Sequence, residues 1–340
     1  MSNRQISMNS DLQVQEGTVI WNKSIRFLRR FQSLFGLLII ILAATILCTR
    51  DGENLFLSPA NLANVVRSVS ENGIMAIGLT LVILIGGIDL SVGAILGLAA
   101  TGAADLMMHR SMGMFETVLI VLAIGAALGM FNGVISTKLR IQPFIVTLAA
   151  MSIARGIARY WSNGTGIPIS YGQDAFLAPP AFSMLSSRIW GIPVPALCFI
   201  GLGILFTIML KYTRFGRHVY AIGGNETAAH LSGIPVIRIK IFIFALCGVL
   251  AAIAGLIHAS QLSQGSPNDG IGYELNAIAA AAIGGTNLAG GKGTIIGTLI
   301  GALILGVLDN MLGLLNVNTN IQSIVKGLII IAAVYLQKQK

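Results

Sequence analysis

The sequence predicts an all-α, polytopic membrane protein with about ten transmembrane helices. Hydrophobic residues make up 55% of the 340-residue chain and charged residues only 10%, whereas about a quarter of a typical soluble protein is charged. The apolar residues form continuous runs, such as 37–47 and 295–308, rather than the alternation of a β-barrel. The 40 glycines suit helices that pack closely within a membrane.

The apolar runs define ten predicted helices, because about 20 apolar residues span a bilayer as a helix. The fifth helix carries Arg155 and Arg159, and the eighth has a short apolar core, 277–283. Two connections are long, an outer loop at about 162–191 and an inner loop at about 212–238. Residues 31–337 therefore form a single transmembrane domain between a leader, 1–30, and a tail, 338–340. The predicted helices cover residues 31–49, 62–86, 90–108, 117–137, 143–161, 192–211, 239–260, 272–288, 293–314 and 321–337.

The positive charges predict the orientation of these helices. If ten helices cross and the leader is cytoplasmic, the inner segments hold 15 of the 22 Lys and Arg residues. The outer loops hold three, Arg50, Arg110 and Arg188, and four lie within helices. This asymmetry is typical of cytoplasmic loops, so we expect both termini to be cytoplasmic. The leader is expected to remain uncleaved, because no small-residue cleavage pattern follows its basic end.

Several function classes are disfavoured by the sequence. The net charge of +9 reflects membrane orientation, so nucleic acid is not an expected partner. The three cysteines lie in apolar runs and are interpreted as small hydrophobic residues. The four histidines lack metal-ligand spacing, and residues 285–293 do not match a phosphate-binding loop. We therefore predict no catalytic residue, no metal site and no cofactor on this chain.

Two stretches interrupt the predicted helices. The sequence GGIDLS at 86–91 separates the second helix from the third, and a similar stretch, IGGTNL, occupies 283–288. Asp89 has two interpretations: an N-cap of the third helix or a functional carboxylate near membrane depth. Glycines spaced four residues apart predict close helix packing. They are Gly93 and Gly97; Gly125, Gly129 and Gly133; and Gly293, Gly297 and Gly301.

The basic inner loop predicts a short helix. Asn225 can cap a helix over 226–232, and Gly233 can end it. This helix could meet a protein on the cytoplasmic side. Alternatively, the basic face of the loop could dock to anionic lipid headgroups.

Four sequence blocks resemble the membrane permeases of bacterial ABC importers for monosaccharides, the ribose, xylose, galactose, arabinose and allose type. The blocks are RFGR at 214–217 with AIGGNE at 221–226; GGIDLSVG at 86–93; YELNAIA at 273–279 with IGGT at 283–286; and FNG at 131–133 with QPFI at 142–145. Together they extend over most of residues 60–336. The chain departs from the family at Asn276, where Asp is frequent, and at 318–320, on the outer side.

This resemblance implies the ABC-importer permease fold, with broken helices, in the bacterial inner membrane. The chain would be one of two permease subunits, in a homo- or heterodimer. Together they would import a monosaccharide or a small polyol. A separate subunit would bind ATP and Mg²⁺, and a periplasmic sugar-binding protein would dock outside, including on loop 162–191. The residues implied to contact the ATPase are Arg214, Arg217, Asn225, Glu226, Ala228, Ala229 and Gly233.

Polar and glycine residues at helix breaks are the candidates for the translocation pathway, and structural capping is the competing interpretation for each. An ion-coupled secondary transporter is the alternative function, but such proteins usually carry midplane carboxylates. Here Glu71, Asp89, Glu274 and Asp309 lie mostly near predicted helix ends. A scaffold or channel would leave the inner loop unexplained. The pathway candidates are Gly86, Gly87, Asp89, Ser91, Asn132, Glu274, Asn276 and Asn310.

Overall fold

Twelve α-helices make up most of the chain that the computed structural model describes, residues 32–50 and 52–338. Ten of them occupy the positions predicted for transmembrane helices, and the other two lie in the inner loop. The predicted leader, 1–30, and residues 339–340 are outside the described residues. The helices are α1 (Gln32–Leu47), α2 (Pro59–Leu84), α3 (Val92–Met108), α4 (Met114–Lys138), α5 (Pro143–Trp161), α6 (Val194–Tyr212), α7 (Arg214–Gly224), α8 (Glu226–Leu231), α9 (Val236–Leu262), α10 (Tyr273–Ile283), α11 (Ile295–Leu314) and α12 (Thr319–Lys338).

The lengths of these helices support a polytopic membrane protein. Among the described residues, α2, α4, α6, α9 and α11 are long and apolar enough to cross a membrane. Helices α1, α3 and α10 are apolar but shorter. The predicted eighth helix, 272–288, is too long, because α10 ends at Ile283 in a Gly-Gly turn. Ten crossings therefore remain a prediction.

Short strands in the loops modify the all-α prediction. Within the described residues there are three antiparallel pairs of two-residue strands. One pair joins the outer loop to the segment after α9, which places that segment beside the loop. The outer loop also contains a 3-10 helix, Pro180–Ser186. The pairs are β1 (Thr49–Arg50) with β2 (Glu53–Asn54), β3 (Ile167–Pro168) with β6 (Gln264–Gly265), and β4 (Arg188–Ile189) with β5 (Ile192–Pro193).

Helix α9 packs against α2, α3 and α4, and glycines set its distance from α4. A methyl group on Gly125 would lie 2.6 Å from the carbonyl oxygen of Gly248, and one on Gly129 would collide with the backbone of Phe244. Close packing is thus confirmed for this glycine face. Gly297 and Gly301 similarly contact α10. The inclusion of Gly293 in that face was wrong, because it precedes α11.

We expect Gly129→Ala to destabilise the protein, because its methyl group has no room beside α9. Overpacking of this kind costs ~1–3 kcal/mol. Gly201→Ala is the matched control, since Gly201 of α6 faces open space and alanine favours a helix. Thermal unfolding of both variants in detergent tests this. A Gly129→Ala midpoint at or above that of the parent would contradict the packing.

Candidate coupling surface and polar pathway residues

The inner loop folds into the predicted short helix, α8. The Asn225 side chain accepts a hydrogen bond from the Ala228 amide at 2.9 Å, which caps the helix. Gly233 follows the helix with φ = +80°, a backbone conformation that glycine adopts without strain. The cap and the stop are both confirmed, although α8 ends at Leu231 rather than Ser232.

Helix α8 presents one face to the solvent and one to the protein. Glu226 and Ala228 are exposed, whereas Ala229 is buried against the body of the chain. Ala229 therefore supports the helix and is not free to contact a partner. Leu231 is 82% exposed at the end of the helix. Sequence reasoning missed this leucine, because its exposure depends on how α8 rests on the bundle.

The preceding helix, α7, carries the two predicted arginines. Arg214 and Arg217 are exposed, and the Thr213 hydroxyl caps the helix by accepting from the Gly216 amide at 3.3 Å. Burial of Val219 and Ile222 attaches the opposite face to the protein. The arginines thus lie on the outward face, next to α8 in sequence.

An ion pair connects α8 to α9. Lys240 Nζ lies 2.6 Å from Glu226 Oε2, with the side chain of Glu226 55% exposed and that of Lys240 17% exposed. Both residues line a cavity of about 260 Å³ that Arg140 and Pro143 also border. This ion pair therefore joins α8 to the beginning of α9, the helix that packs against α2, α3 and α4.

The turn at Gly86 and Gly87 and the turn at Gly290 and Gly291 come together beside α7, which the sequence did not predict. The Gly291 amide donates to the Leu84 carbonyl at 2.9 Å, and Gly290 contacts Gly86. Gly223 of α7 packs against both segments so closely that a methyl group would collide with the Leu84 carbonyl. Gly86 itself has φ = +79°. The C-terminal end of α2 and the turn before α11 are therefore in direct contact with α7.

Asp89 lies in a buried polar cluster. Its Oδ1 accepts from the Ser91 amide at 2.8 Å and from the Ser91 hydroxyl at 2.6 Å, and Asn132 Nδ2 donates to Ser91 Oγ at 2.9 Å. All three residues are fully buried. The assignment of Asp89 as the N-cap was wrong, because Ser91 occupies that position. Within the described residues, Asp89 Oδ2 and Asn132 Oδ1 have no hydrogen-bond partner.

The remaining pathway candidates lie on α10 and α11. Glu274 Oε1 accepts from the Gly272 amide at 3.2 Å, and Asn276 is partly exposed one turn into α10. Asn310 forms a reciprocal amide pair with Asn61 of α2, at 2.8 and 2.9 Å. Asn310 therefore joins α11 to α2.

A second buried cluster escaped the sequence analysis. Glu71 lies well inside α2, not near its end, and its Oε2 is 2.7 Å from His258 Nδ1. Asp269 Oδ2 lies 3.7 Å from His258 Nε2. These residues are far apart in sequence and have no motif spacing. The only available signal was a glutamate within an apolar run.

Comparison with known proteins supports a role in transport. A family model described as "Branched-chain amino acid transport system / permease component" matches residues 61–334. The chain is 44% identical over 313 residues to the ribose import permease protein RbsC of Escherichia coli K12, covering 91% of this chain and 94% of that protein. No solved structure matches the chain significantly.

Two further relatives are named for other sugars, L-arabinose and xylose. The chain is 36% identical over 315 residues to the L-arabinose transport system permease protein AraH of Escherichia coli K12, covering 92% of each chain. It is 37% identical over 338 residues to the xylose transport system permease protein XylH of Haemophilus influenzae, covering 84% of this chain and 90% of that protein. These matches confirm the resemblance to importer permeases. The chain therefore belongs to this family of transport-system permease components.

Proposed function

We propose that the chain is the membrane-spanning permease subunit of an ATP-driven importer for a monosaccharide or a similar small polyol. The capped, outward-facing helix α8 is the observation that carries this proposal. Such a helix suits a protein partner on the cytoplasmic side, and this chain has no recognisable nucleotide-binding motif. The names of its ribose, arabinose and xylose relatives support a sugar as the solute.

The charge distribution supports ten crossings with both termini cytoplasmic. This arrangement places α7 and α8 inside and loop 162–191 outside, in the bacterial inner membrane. It also leaves 15 basic residues inside and three outside. A fluorescent protein that matures only in the cytoplasm, fused after Lys340, should fluoresce. Fluorescence from a fusion within 162–191 would contradict the orientation.

The ATPase subunit would dock on α7 and α8 and would supply ATP and Mg²⁺. Arg214, Arg217 and Glu226 are exposed there, and Ala228 lies on the same open face. Asn225 and Gly233 set the two ends of α8, while Ala229 holds the helix on the bundle. In this scheme the permease moves the solute and the partner hydrolyses ATP.

We expect Leu231→Glu to weaken ATPase binding, because an exposed leucine on a docking helix suits an apolar pocket. Loss of such an anchor costs ~2 kcal/mol, or roughly thirtyfold in affinity. Leu262→Glu is the matched control, since Leu262 also ends a helix and is 56% exposed but lies on the predicted outer side. Co-purification of the ATPase with each variant is the measurement. Equal recovery from both would contradict docking through Leu231.

The pathway would pass the polar groups of the helix breaks, and a second permease subunit, identical or related, would complete it. Asp89, Ser91 and Asn132 form one polar group near Gly86 and Gly87, and Glu274 with Asn276 forms another on α10. A periplasmic sugar-binding protein would deliver the solute to the outer face. Bilayer lipid would cover the exposed apolar side chains of α1, such as Ile39, which is 68% exposed.

An ion-coupled secondary transporter remains the alternative, but no finding favours it over the importer. The two can be separated in proteoliposomes that contain the chain, its ATPase and its binding protein. The importer requires internal ATP and continues when ionophores abolish ion gradients. Uptake of ribose, xylose, arabinose, galactose and allose by the same preparation would identify the solute.

A further inference from the structure

The segment between α9 and α10, residues 263–272, re-enters the helix bundle; we call it the strap. Gly265 packs on Ala100 of α3, and Gly270 packs on Gly93 of the same helix. Seven helical residues separate these contacts, so the strap descends roughly 10 Å along α3. Helix α10 therefore begins within the bundle rather than at its outer surface.

A carboxylate–imidazole–carboxylate cluster holds this strap to two helices. His258 of α9 lies between Glu71 of α2, at 2.7 Å, and Asp269 of the strap, at 3.7 Å. The side chains are 9%, 7% and 13% exposed, respectively. These distances are those of an imidazole placed between two carboxylates. We call Glu71, His258 and Asp269 the clasp.

Other contacts fix the backbone of the strap around the clasp. Arg155 of α5 donates from Nη1 to the carbonyl oxygens of Pro267 and Asp269, both at 2.6 Å. The Ser266 amide donates to Asp269 Oδ2 at 2.9 Å. The Asp269 carboxylate is therefore preoriented towards His258 by its own backbone.

The charges around the clasp favour a protonated His258. Both ring nitrogens face carboxylate oxygens, and only the protonated imidazole carries a hydrogen on each nitrogen. Glu71 and Asp269 are both largely buried, so a positive charge on His258 offsets theirs, and an unbalanced buried charge is costly. Tyr273 packs edge-on against the imidazole.

We propose that His258 is a positioning residue for the translocation pathway. Its imidazolium joins Glu71 to Asp269, fixes the strap, and so determines where α10 begins and where Glu274 and Asn276 of its first turn are placed. The inference rests on the proposed function, because that function makes Glu274 and Asn276 part of the pathway. Its structural part, the anchoring of the strap, can be tested without transport.

The first test measures access to the strap in the assembled importer. Cys48, Cys198 and Cys247 are replaced by alanine, and Ser266→Cys provides a half-buried thiol for a membrane-impermeant maleimide applied from outside. We expect the thiol of Ser266→Cys to react at least about tenfold faster in the presence of His258→Gln than in the same protein with His258 intact. His109→Gln should label like the protein with His258 intact, because His109, at the C-cap of α3, also pairs with a carboxylate, Asp105 at 2.9 Å, but is 61% exposed. Equal labelling of His258→Gln and the parent overturns the proposal.

Volume-matched carboxylate variants keep the test decisive if His258→Gln does not assemble. Asp269→Asn and Glu71→Gln should each accelerate labelling, and unchanged rates in both overturn the proposal. In uptake, the double variant Glu71→Gln/His258→Gln should be no slower than the worse single variant; multiplied losses would contradict a shared clasp. The clasp variants could label faster although the importer with an intact clasp shows no ATP-driven uptake. That result would refute the proposed function and leave the anchoring of the strap supported.

Discussion

Gly223→Ala is expected to abolish ATP-driven solute uptake, because α7 meets two backbone turns at this residue. A methyl group there would collide with the Leu84 carbonyl and lie 2.5 Å from the Gly291 amide nitrogen. These two groups hydrogen-bond to each other at 2.9 Å, so the collision would separate α7 from the end of α2 and from the turn at Gly290 and Gly291. The overpacking cost of ~1–3 kcal/mol would fall on the junction that connects α7 with α2 and with the turn before α11.

The neighbouring residue provides a control for this prediction. Gly224 also lies at the end of α7, but a methyl group there would face open space. Alanine is a better helix former than glycine by about 1 kcal/mol, so Gly224→Ala should transport normally. Uptake into proteoliposomes that contain the permease, the ATPase and the binding protein is the measurement. Full uptake by Gly223→Ala would show that solute transport does not depend on the contact of α7 with α2 and with the turn before α11.

Asp89 should give the second large effect, and two substitutions separate its possible roles. Asp89→Leu removes the acceptor of both Ser91 donors, and each buried donor left unpaired costs ~1–3 kcal/mol. We therefore expect little folded protein from this variant. Asp89→Asn keeps an oxygen in place for Ser91 but removes the charge. It should fold normally and lose most of its uptake.

The comparison of these variants decides between a purely structural role of Asp89 in the turn before α3 and a place in the pathway. Folded yield and unfolding temperature report the structural role, and the uptake rate per folded molecule reports the functional one. Normal uptake by Asp89→Asn would leave only the structural role of organising the turn before α3. Ser91→Ala tests the same cluster from the hydroxyl side and should lower uptake less, since the Ser91 amide still reaches Asp89.

Patterns that act locally in the chain were predictable. Continuous apolar runs placed all ten predicted helices because burial in lipid requires about 20 such residues. The Asn225 cap and the Gly233 stop depend only on residues within α8, so sequence spacing was enough. The end of α10 was predicted too late, at Leu288, although the polar Thr286 and Asn287 precede that residue and the backbone already turns at Gly284 and Gly285.

Features that depend on distant contacts were not predictable in this way. Nothing in the sequence around Glu71, His258 or Asp269 indicates that three separate elements bring them together. The exposure of Leu231 and the burial of Ala229 likewise depend on how α8 rests on the bundle. The N-cap of α3 was misplaced because Asp89 and Ser91 both suit a cap, and only the backbone geometry distinguishes them.

The central claim is that helix α8 couples ATP hydrolysis on a partner to solute movement through this chain. The most direct test is ATP-driven uptake by proteoliposomes that contain the permease with both Glu226→Arg and Gly233→Arg, its ATPase and its binding protein. The first change reverses the charge that pairs with Lys240, and the second strains a φ of +80°. Our account predicts that the ATPase no longer co-purifies and that uptake falls to background. Retention of both assembly and uptake would contradict it.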